Sequence, residues 1–248
     1  MNPVPRKAWE ELAGNNKQRK MPDSGKQSKP GFAGILGGSR TQTHHQHPSP
    51  KGEKEAQLTH EFSITCHAMF QPIQTARCIL RELQPSDAPG MFELDTDPLV
   101  HRYLGNKPIS TIEQATDVIA FVRRQYVENG IGRWAMVHRD SGAFMGWCGL
   151  KLNTEPLNGH VNYYDLGYRL MPRFWGQGYA SEAGATALAF GFGSLKLQTI
   201  YAVAHIENAA SNRVLTKLGF KQTGTFNYDE EPCYWYVCTT PQQSSDTP

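Results

Sequence analysis

Regular patterns of apolar and polar positions begin near Thr75 and continue to about residue 240. Apolar residues alternate with polar ones in some segments, as in half-buried strands, and recur every three or four positions in others, as in amphipathic helices. The predicted elements are a strand over 78–83, helices over 87–95 and 112–129, strands over 134–137, 144–150 and 161–170, a helix over 179–192, a strand over 199–204, a helix over 209–218, and strands over 221–226 and 234–239.

Polar residues and glycines mark the ends of these elements. Ser86 or Asp87 can cap the first helix, and Thr111 can cap the second, long one. Asn129-Gly130 ends that helix, and the turn 139–142 joins two strands as a hairpin. Helices that alternate with short strands after a central meander predict an α+β, or mixed α/β, domain over residues 73–240.

Residues 1–72 lack these patterns and are rich in Gly, Pro, Ser, Gln, Asn and Lys. Such a composition buries too little apolar surface to offset the entropy of ordering, so this segment is expected to be a disordered extension. The tail 241–248 is expected to be disordered as well. The tract His44-His45-Gln46-His47 has no acidic or Cys neighbour to complete a metal site, and no metal is expected.

Charge and cysteine content narrow the class of protein. The formal net charge is only +2, which gives no overall field for nucleic acid or an anionic membrane. No apolar run approaches the ~20 residues that span a bilayer, and the five cysteines form no disulfide framework. A protein of the cytoplasm, monomeric or homodimeric, with neither nucleic acid nor membrane as partner, is the expectation.

The segment Arg173-Phe174-Trp175-Gly176-Gln177-Gly178-Tyr179-Ala180 lies between a predicted strand and a predicted helix. The first turn of a helix presents unpaired N–H groups with partial positive charge, and glycine lets an anion approach the backbone closely. The segment therefore predicts an anion site. Neither a P-loop nor a dinucleotide-binding glycine pattern occurs in the sequence.

Two segments together resemble the GNAT superfamily of acetyl-CoA-dependent N-acetyltransferases. The first is Leu166–Ala183, which contains the signature Arg173-x-x-Gly176-x-Gly178, and the second is Glu207–Phe220, which begins about 30 residues after that signature. Within the superfamily, the chain is similar to the branch of the ribosomal-protein N-terminal (alanine) acetyltransferases. The resemblance covers about residues 75–240.

This resemblance implies a twisted, mostly antiparallel sheet of about seven strands, splayed at its centre and flanked by about four helices. It also implies that acetyl-CoA is the cosubstrate and lies between Tyr168–Met171 and Tyr201–His205. The residues it assigns to the cofactor are Leu170, Met171, Arg173, Phe174, Trp175, Gly176, Gln177, Gly178, Tyr179, Ala180, Asn208 and Ser211. Asn208 also suits a helix N-cap, and the two roles are compatible.

The implied reaction is direct attack of an amine on the thioester, with no acyl-enzyme. The backbone amide of Leu170 matches the usual oxyanion donor. Many relatives carry a tyrosine as general acid where this chain has Leu215, so Ser211, one turn earlier, is the candidate acid. Glu207 and His205 are the candidate bases, while Asp165 and Tyr164 are weaker ones.

The acceptor is a protein N-terminus or a small-molecule amine. An acidic pocket with Asp95, Asp97 and Glu128 would favour the small molecule. A non-catalytic acyl-CoA-binding sensor or structural module remains the alternative function.

Overall fold

The computed structural model describes residues 70–240, so the predictions for 1–69, including the histidine tract, and for 241–248 lie outside it. Phe70, which the sequence pattern assigned to the extension, stacks on Trp134 with ring centroids 4.5 Å apart and meets Phe190 edge-on. The packed domain therefore includes at least this residue of the predicted extension.

The described residues form an eight-stranded sheet with helices on both faces. The strands are β1 Ile73–Gln74, β2 Cys78–Glu82, β3 Trp134–His138, β4 Phe144–Asn153, β5 Tyr163–Leu170, β6 Thr199–His205, β7 Lys221–Tyr228 and β8 Glu231–Thr239. The α-helices are α1 Ala88–Thr96, α2 Pro98–His101, α3 Ile112–Asn129, α4 Tyr179–Gly193 and α5 Ala209–Lys217, and 3-10 turns span Pro85–Asp87 and Pro172–Phe174.

The strand order is β1-β2-β3-β4-β5-β6-β8-β7, and every neighbouring pair is antiparallel except β5 with β6. The predicted fold class is thereby confirmed. The sequence pattern missed β1, because a two-residue strand is too short to show a period.

Local signals set the helix ends as predicted in most places. Thr111 and Gln114 form a capping box at the start of α3, and Gly130, in the left-handed conformation, ends it. At α1 the prediction was wrong in detail. Asp87 is the N-cap but makes no capping bond to the helix, because its carboxylate forms a two-pronged ion pair with Arg81 at 2.7 Å.

Small residues let α4 lie close to its neighbours. A Cβ atom on Gly184 would come within 2.7 Å of the Leu218 side chain, and one on Gly191 would come equally close to Ile200 and Leu150. Larger side chains at these positions would push the helix away from the sheet. The glycine and alanine content of α4 is thus explained by packing.

The parallel pair β5–β6 is the place where the sheet opens. These two strands are in register only at Asp165 and Tyr201, near their starts. Their carboxyl ends then diverge, and each end leads into a helix: β5 through residues 171–178 into α4, and β6 through 206–208 into α5. The splay implied by the family resemblance is therefore present, and it brings both signature segments to one place.

Alternation along β5 directs its side chains to the two faces of the sheet. Leu166 and Tyr168 face α4 and α5, whereas Asp165 and Arg169 face the side that carries α1 and α3. Arg169 donates to Asp95 of α1 at 2.5 Å, which joins that helix to the strand.

Three acidic candidates have structural roles instead of the predicted functional ones. Asp165 is fully buried, pairs with Arg133 at 2.8 Å and accepts from Asn153, so it is no free base. Asp95 is buried against Arg169, and Asp97 caps α2 through the Leu99 amide. Asp95 and Asp97 therefore offer no free carboxylate to an acidic acceptor pocket, and Glu128, the third residue considered for it, is exposed near the end of α3.

Candidate active site

A cavity of about 490 Å³ lies at the carboxyl end of β5, on the side where this strand separates from β6. This volume is in the usual range for a site that binds a small molecule. Its walls come from α2 and the residues after it, the end of β5, residues 173–180 (called the glycine segment below) with the start of α4, and α5. The lining residues are Leu99, Val100, Arg102, Tyr103, Tyr168, Leu170, Phe174, Trp175, Gly176, Gly178, Tyr179, Ala180, Ser181, Asn208, Ala210, Ser211, Arg213, Val214 and Lys217.

The backbone of Leu170 faces the gap. The Met171 amide donates to the Met145 carbonyl, so Met145 and Met171 form a hydrogen-bonded pair of the β4–β5 ladder. Hydrogen-bonded and non-hydrogen-bonded pairs alternate along antiparallel strands. The pair Gly146–Leu170 is therefore non-hydrogen-bonded, and the N–H and C=O of Leu170 point away from β4 into the gap. The carbonyl accepts the indole N–H of Trp175 at 2.6 Å, while the amide faces the cavity.

Tyr168 and Ser211 form a pair of hydroxyl groups on the cavity wall. Their oxygens lie 2.9 Å apart, and the Tyr168 hydroxyl also lies 3.1 Å from the Ser211 carbonyl. Burial raises the pKa of Tyr168 well above its ordinary value, so the phenol keeps its proton. Leu215, at the position where many relatives carry the acid, is buried in the core. Tyr168 was not among the catalytic residues predicted from the sequence.

Asn208 has the geometry of an N-cap and also lines the cavity. Its side-chain oxygen accepts the Ser211 amide at 3.1 Å, which fixes the start of α5 and the position of the serine. The two roles considered for this residue are thus compatible in space.

Gly178 precedes α4 with a φ of +85°, which glycine adopts without strain, and no side chain caps this helix. The amides of the first turn have no acceptor within the helix, and Tyr179, Ala180 and Ser181 line the cavity there. The arrangement suits a phosphate group.

Three predicted cofactor residues lie outside the cavity lining. The Arg173 guanidinium pairs with Glu93 of α1, Met171 is buried, and the side chain of Gln177 donates to the Arg173 carbonyl at 2.8 Å. Contacts of these three with the cofactor stay predictions.

His205 and two carboxylates lie at the carboxyl end of β6. The Nδ1 atom of His205 accepts the Glu207 amide at 3.1 Å, so the neutral ring carries its proton on Nε2 and donates to Glu231 at 3.2 Å. Both ring nitrogens of His205 are engaged in this arrangement, and its role as a base stays a prediction. The His205 ring also lies 5.3 Å from Tyr103, a cavity residue. Glu207 is exposed beside them and does not line the cavity.

Cationic side chains line the cavity. Within residues 70–240, Arg102, Arg213 and Lys217 are among its lining residues, and no Asp or Glu is. On α5 the last two are one turn apart and share a face. These three cations were not predicted as site residues, because a basic residue on a helix surface has no distinctive sequence pattern.

Cysteine chemistry does not fit this site. The described cysteines, Cys78, Cys148, Cys233 and Cys238, are buried and unpaired. Burial raises the pKa of each of their thiols, to about 12 for Cys148 and about 11 for Cys233. A thiol in this state is a poor nucleophile.

Comparison with known proteins identifies the class. The family model for the acetyltransferase (GNAT) domain matches residues 77–221, more than half of the chain. The chain belongs to the GNAT acetyltransferase family.

Individual relatives agree with this assignment. The uncharacterized N-acetyltransferase YoaA of Bacillus subtilis is 32% identical over 177 residues, which cover 71% of this chain and 95% of that protein. The uncharacterized N-acetyltransferase p20 of Bacillus licheniformis is 30% identical, over 62% of this chain and 85% of its own.

Solved structures share the fold. A GNAT-family acetyltransferase from Bordetella pertussis has a TM-score of 0.60 at 20% identity and covers 68% of this chain and 99% of its own. One from Bacillus anthracis has a TM-score of 0.58 at 23% identity, over 68% and 98% of the two chains. Family membership supports the use of acetyl-CoA and an amine acceptor. No helix within residues 70–240 is long and apolar enough to cross a membrane.

Proposed function

We propose that the protein transfers the acetyl group of acetyl-CoA to a primary amine by direct attack. The observation that carries the proposal is the cavity at the splay, which joins a helix N-terminus, three cations, a backbone amide and a hydroxyl pair. A long, anionic thioester matches this arrangement. Its phosphates would lie at the glycine segment and its acetyl group at Leu170.

In the proposed reaction, the amine lone pair attacks the acetyl carbonyl carbon. The Leu170 amide stabilises the negative charge that develops on the carbonyl oxygen. The carbon–sulfur bond then breaks, and the nitrogen gives up its extra proton to solvent water. The departing thiolate takes a proton from Ser211, which is hydrogen-bonded to Tyr168 and regains a proton from solvent water, so the net transfer is from nitrogen to sulfur. The serine, oriented by the phenol, replaces the acid that Leu215 cannot supply.

An ammonium acceptor must lose a proton before it attacks. Two carboxylates flank His205: Glu207, proposed from the sequence, and Glu231, which His205 orients. The base is assigned by pH–rate profiles of Glu207→Gln and Glu231→Gln, because only loss of the base removes the acidic limb of the profile.

For the acceptor, we propose the N-terminus of a protein. The fold is shared with proteins named as a ribosomal-protein-S5-alanine acetyltransferase from Vibrio fischeri and a ribosomal L7/L12 alpha-N-protein acetyltransferase. It is also shared with a spermidine N-acetyltransferase from Vibrio cholerae. Among the described residues, those that line the cavity include no carboxylate to hold a polycation, which favours the protein acceptor over a polyamine.

A thiol-release assay with acetyl-CoA tests both parts of the proposal. Peptides with free N-termini, polyamines and aminoglycosides serve as acceptors, and N-acetylated peptides are the matched control. Turnover with free peptides alone is expected. Tight donor binding without turnover on any amine would instead indicate an acyl-CoA-binding sensor.

A further inference from the structure

The glycine segment is held from outside the cavity by Arg77, a residue at the start of β2 for which the sequence shows no motif. Its Nη1 atom donates to the Gln177 carbonyl at 2.9 Å, and its guanidinium lies 4.3 Å from the centre of the Tyr179 ring. A Cβ atom placed on Gly178 would lie 3.5 Å from Nη2. Arg77 thus contacts the residues on both sides of Gly178 at the entrance to α4.

Glu182, in the first turn of α4, accepts the remaining hydrogen bonds of Arg77 and one from Thr75. Its carboxylate accepts the Arg77 Nε and backbone N–H groups, both at 2.8 Å, and the Thr75 hydroxyl at 2.6 Å. Burial opposes ionisation of this carboxyl, but the hydrogen bonds from Thr75 and Arg77 outweigh it, so the pKa of Glu182 lies below its ordinary value. The group is therefore negatively charged at neutral pH.

The negative charge of Glu182 lies near the start of α4, where an anionic ligand would bind, and it disfavours such a ligand. A carboxylate in the first turn is itself stabilised by the helix dipole and reduces the positive potential of the N-terminus. A phosphate bound at the same N-terminus would be repelled by it at short range. The Arg77 guanidinium neutralises Glu182 through a charge-assisted pair and holds the loop through Gln177.

We propose that Arg77 is a positioning residue for the diphosphate of the donor. It fixes the shape of the glycine segment and cancels the charge of Glu182, although it does not line the cavity itself. This inference rests on the proposed function, because it takes the ligand of the glycine segment to be a CoA thioester.

Calorimetric titration of the full chain with CoA tests the proposal with four variants: Arg77→Lys, Arg77→Gln, Glu182→Gln and the double variant Arg77→Gln/Glu182→Gln. Arg77→Gln leaves Glu182 unpaired and is expected to raise the CoA Kd about tenfold. Glu182→Gln loses the contact but also the repulsion, so its Kd rises only about threefold. The double variant is expected to bind no more weakly than Glu182→Gln, and Arg77→Lys to fall between Arg77→Gln and the unchanged protein.

Pantetheine, which has no phosphate, separates positioning from a general effect on folding. Its Kd is expected to be the same for Arg77→Gln and the unchanged protein. A CoA Kd within twofold of the unchanged protein for Arg77→Gln, or an equal loss of pantetheine binding, overturns the role of Arg77 alone. Failure of the unchanged protein to bind CoA overturns the proposed function, and this inference with it.

Discussion

The hydroxyl groups of Tyr168 and Ser211 meet across the gap, 2.9 Å apart, at the level where the thioester would lie. They come from different elements, because Tyr168 belongs to β5 and Ser211 to the first turn of α5. The phenol is protonated and buried, and it donates or accepts at the serine oxygen. In the proposed mechanism, this pair provides the proton that the departing thiolate takes.

Replacement of Tyr168 by phenylalanine should lower turnover much more than donor binding. We expect kcat to fall about 10- to 100-fold, because the acid loses its partner while the cavity keeps its shape. The CoA Kd should change less than about threefold. Steady-state kinetics and calorimetry measure the two effects. Tyr163→Phe, a buried tyrosine on the opposite face of β5, is the control, and an unchanged kcat for Tyr168→Phe would remove the tyrosine from the mechanism.

Lys151 destabilises the folded protein at neutral pH. Desolvation lowers its pKa to about 8, more than the attraction of Asp165 raises it. Because the unfolded chain has a lysine pKa of about 10.4, it binds more protons between pH 8 and 10.4. Stability from this residue therefore rises with pH across that window, and below pH 8 the full penalty applies.

Lys151→Met should accordingly raise the free energy of unfolding at pH 7 by about 1 kcal/mol and reduce the gain in stability between pH 8 and 10. Urea denaturation at several pH values measures both. Lys221→Met, at an exposed position of β7, is the control, and equal effects of the two variants would show that the desolvation of the half-buried Lys151 is not the cause.

At the scale of elements, α5 extends from Ser211 near the reaction centre to Lys217 on the same cavity. Arg213 and Lys217 are exposed, one turn apart, and positioned for a phosphate distant from the diphosphate. The 3′-phosphate of CoA is such a group. The helix would then contact the donor along most of its length.

Removal of these two charges should reduce the preference for CoA over dephospho-CoA. We expect Arg213→Gln/Lys217→Met to weaken CoA binding about tenfold and dephospho-CoA binding less than about twofold, because only the former ligand has the 3′-phosphate. Titrations of both ligands at two salt concentrations measure the effect, with Lys221→Met again as control. Equal weakening for both ligands would place the phosphate elsewhere.

Much of this arrangement is predictable from periodicity and motif spacing. Most helices and strands and the loop glycines belong to local patterns, so the sequence identifies them, whereas the role of the Leu170 amide follows from the family resemblance and stays a prediction. Tyr168, Arg77 and the cations of the cavity act through contacts between residues far apart in the chain, and single-sequence patterns do not show such contacts. Alternation along β5 does place Tyr168 on the helix face, which is the signal that identifies it.

The roles of the carboxylates were the hardest to predict from the sequence. Asp95, Asp97 and Asp165 were candidates for the acceptor site or the base, and each has a structural partner. Glu231 was not a candidate, although it accepts from His205. An acidic residue is equally compatible with an ion pair, a cap or catalysis, and only the tertiary neighbours decide among them.

At the scale of the whole molecule, the ring contacts of Phe70 are expected to contribute to the stability of the packed domain. A chain that starts at Phe70 should bind CoA as the full chain does, since the site is built from later residues. A chain that starts at Ile73 loses the stacking on Trp134 and Phe190 and should be less stable by about 2–4 kcal/mol. Thermal unfolding of both truncated forms is the measurement. Equal melting temperatures would show that the aromatic contact contributes nothing, and loss of CoA binding from the longer form would show that residues 1–69 complete the site.

The central claim is that the splayed cavity binds acetyl-CoA through the glycine segment. Calorimetric titration of the full chain with acetyl-CoA, beside Gly178→Val, tests it most directly. The account predicts one site per chain in the unchanged protein. It also predicts at least about tenfold weaker binding in the variant, because valine is strained at a φ of +85° and distorts the entrance to α4. No heat of binding at millimolar acetyl-CoA, or equal affinity in the two proteins, would contradict it.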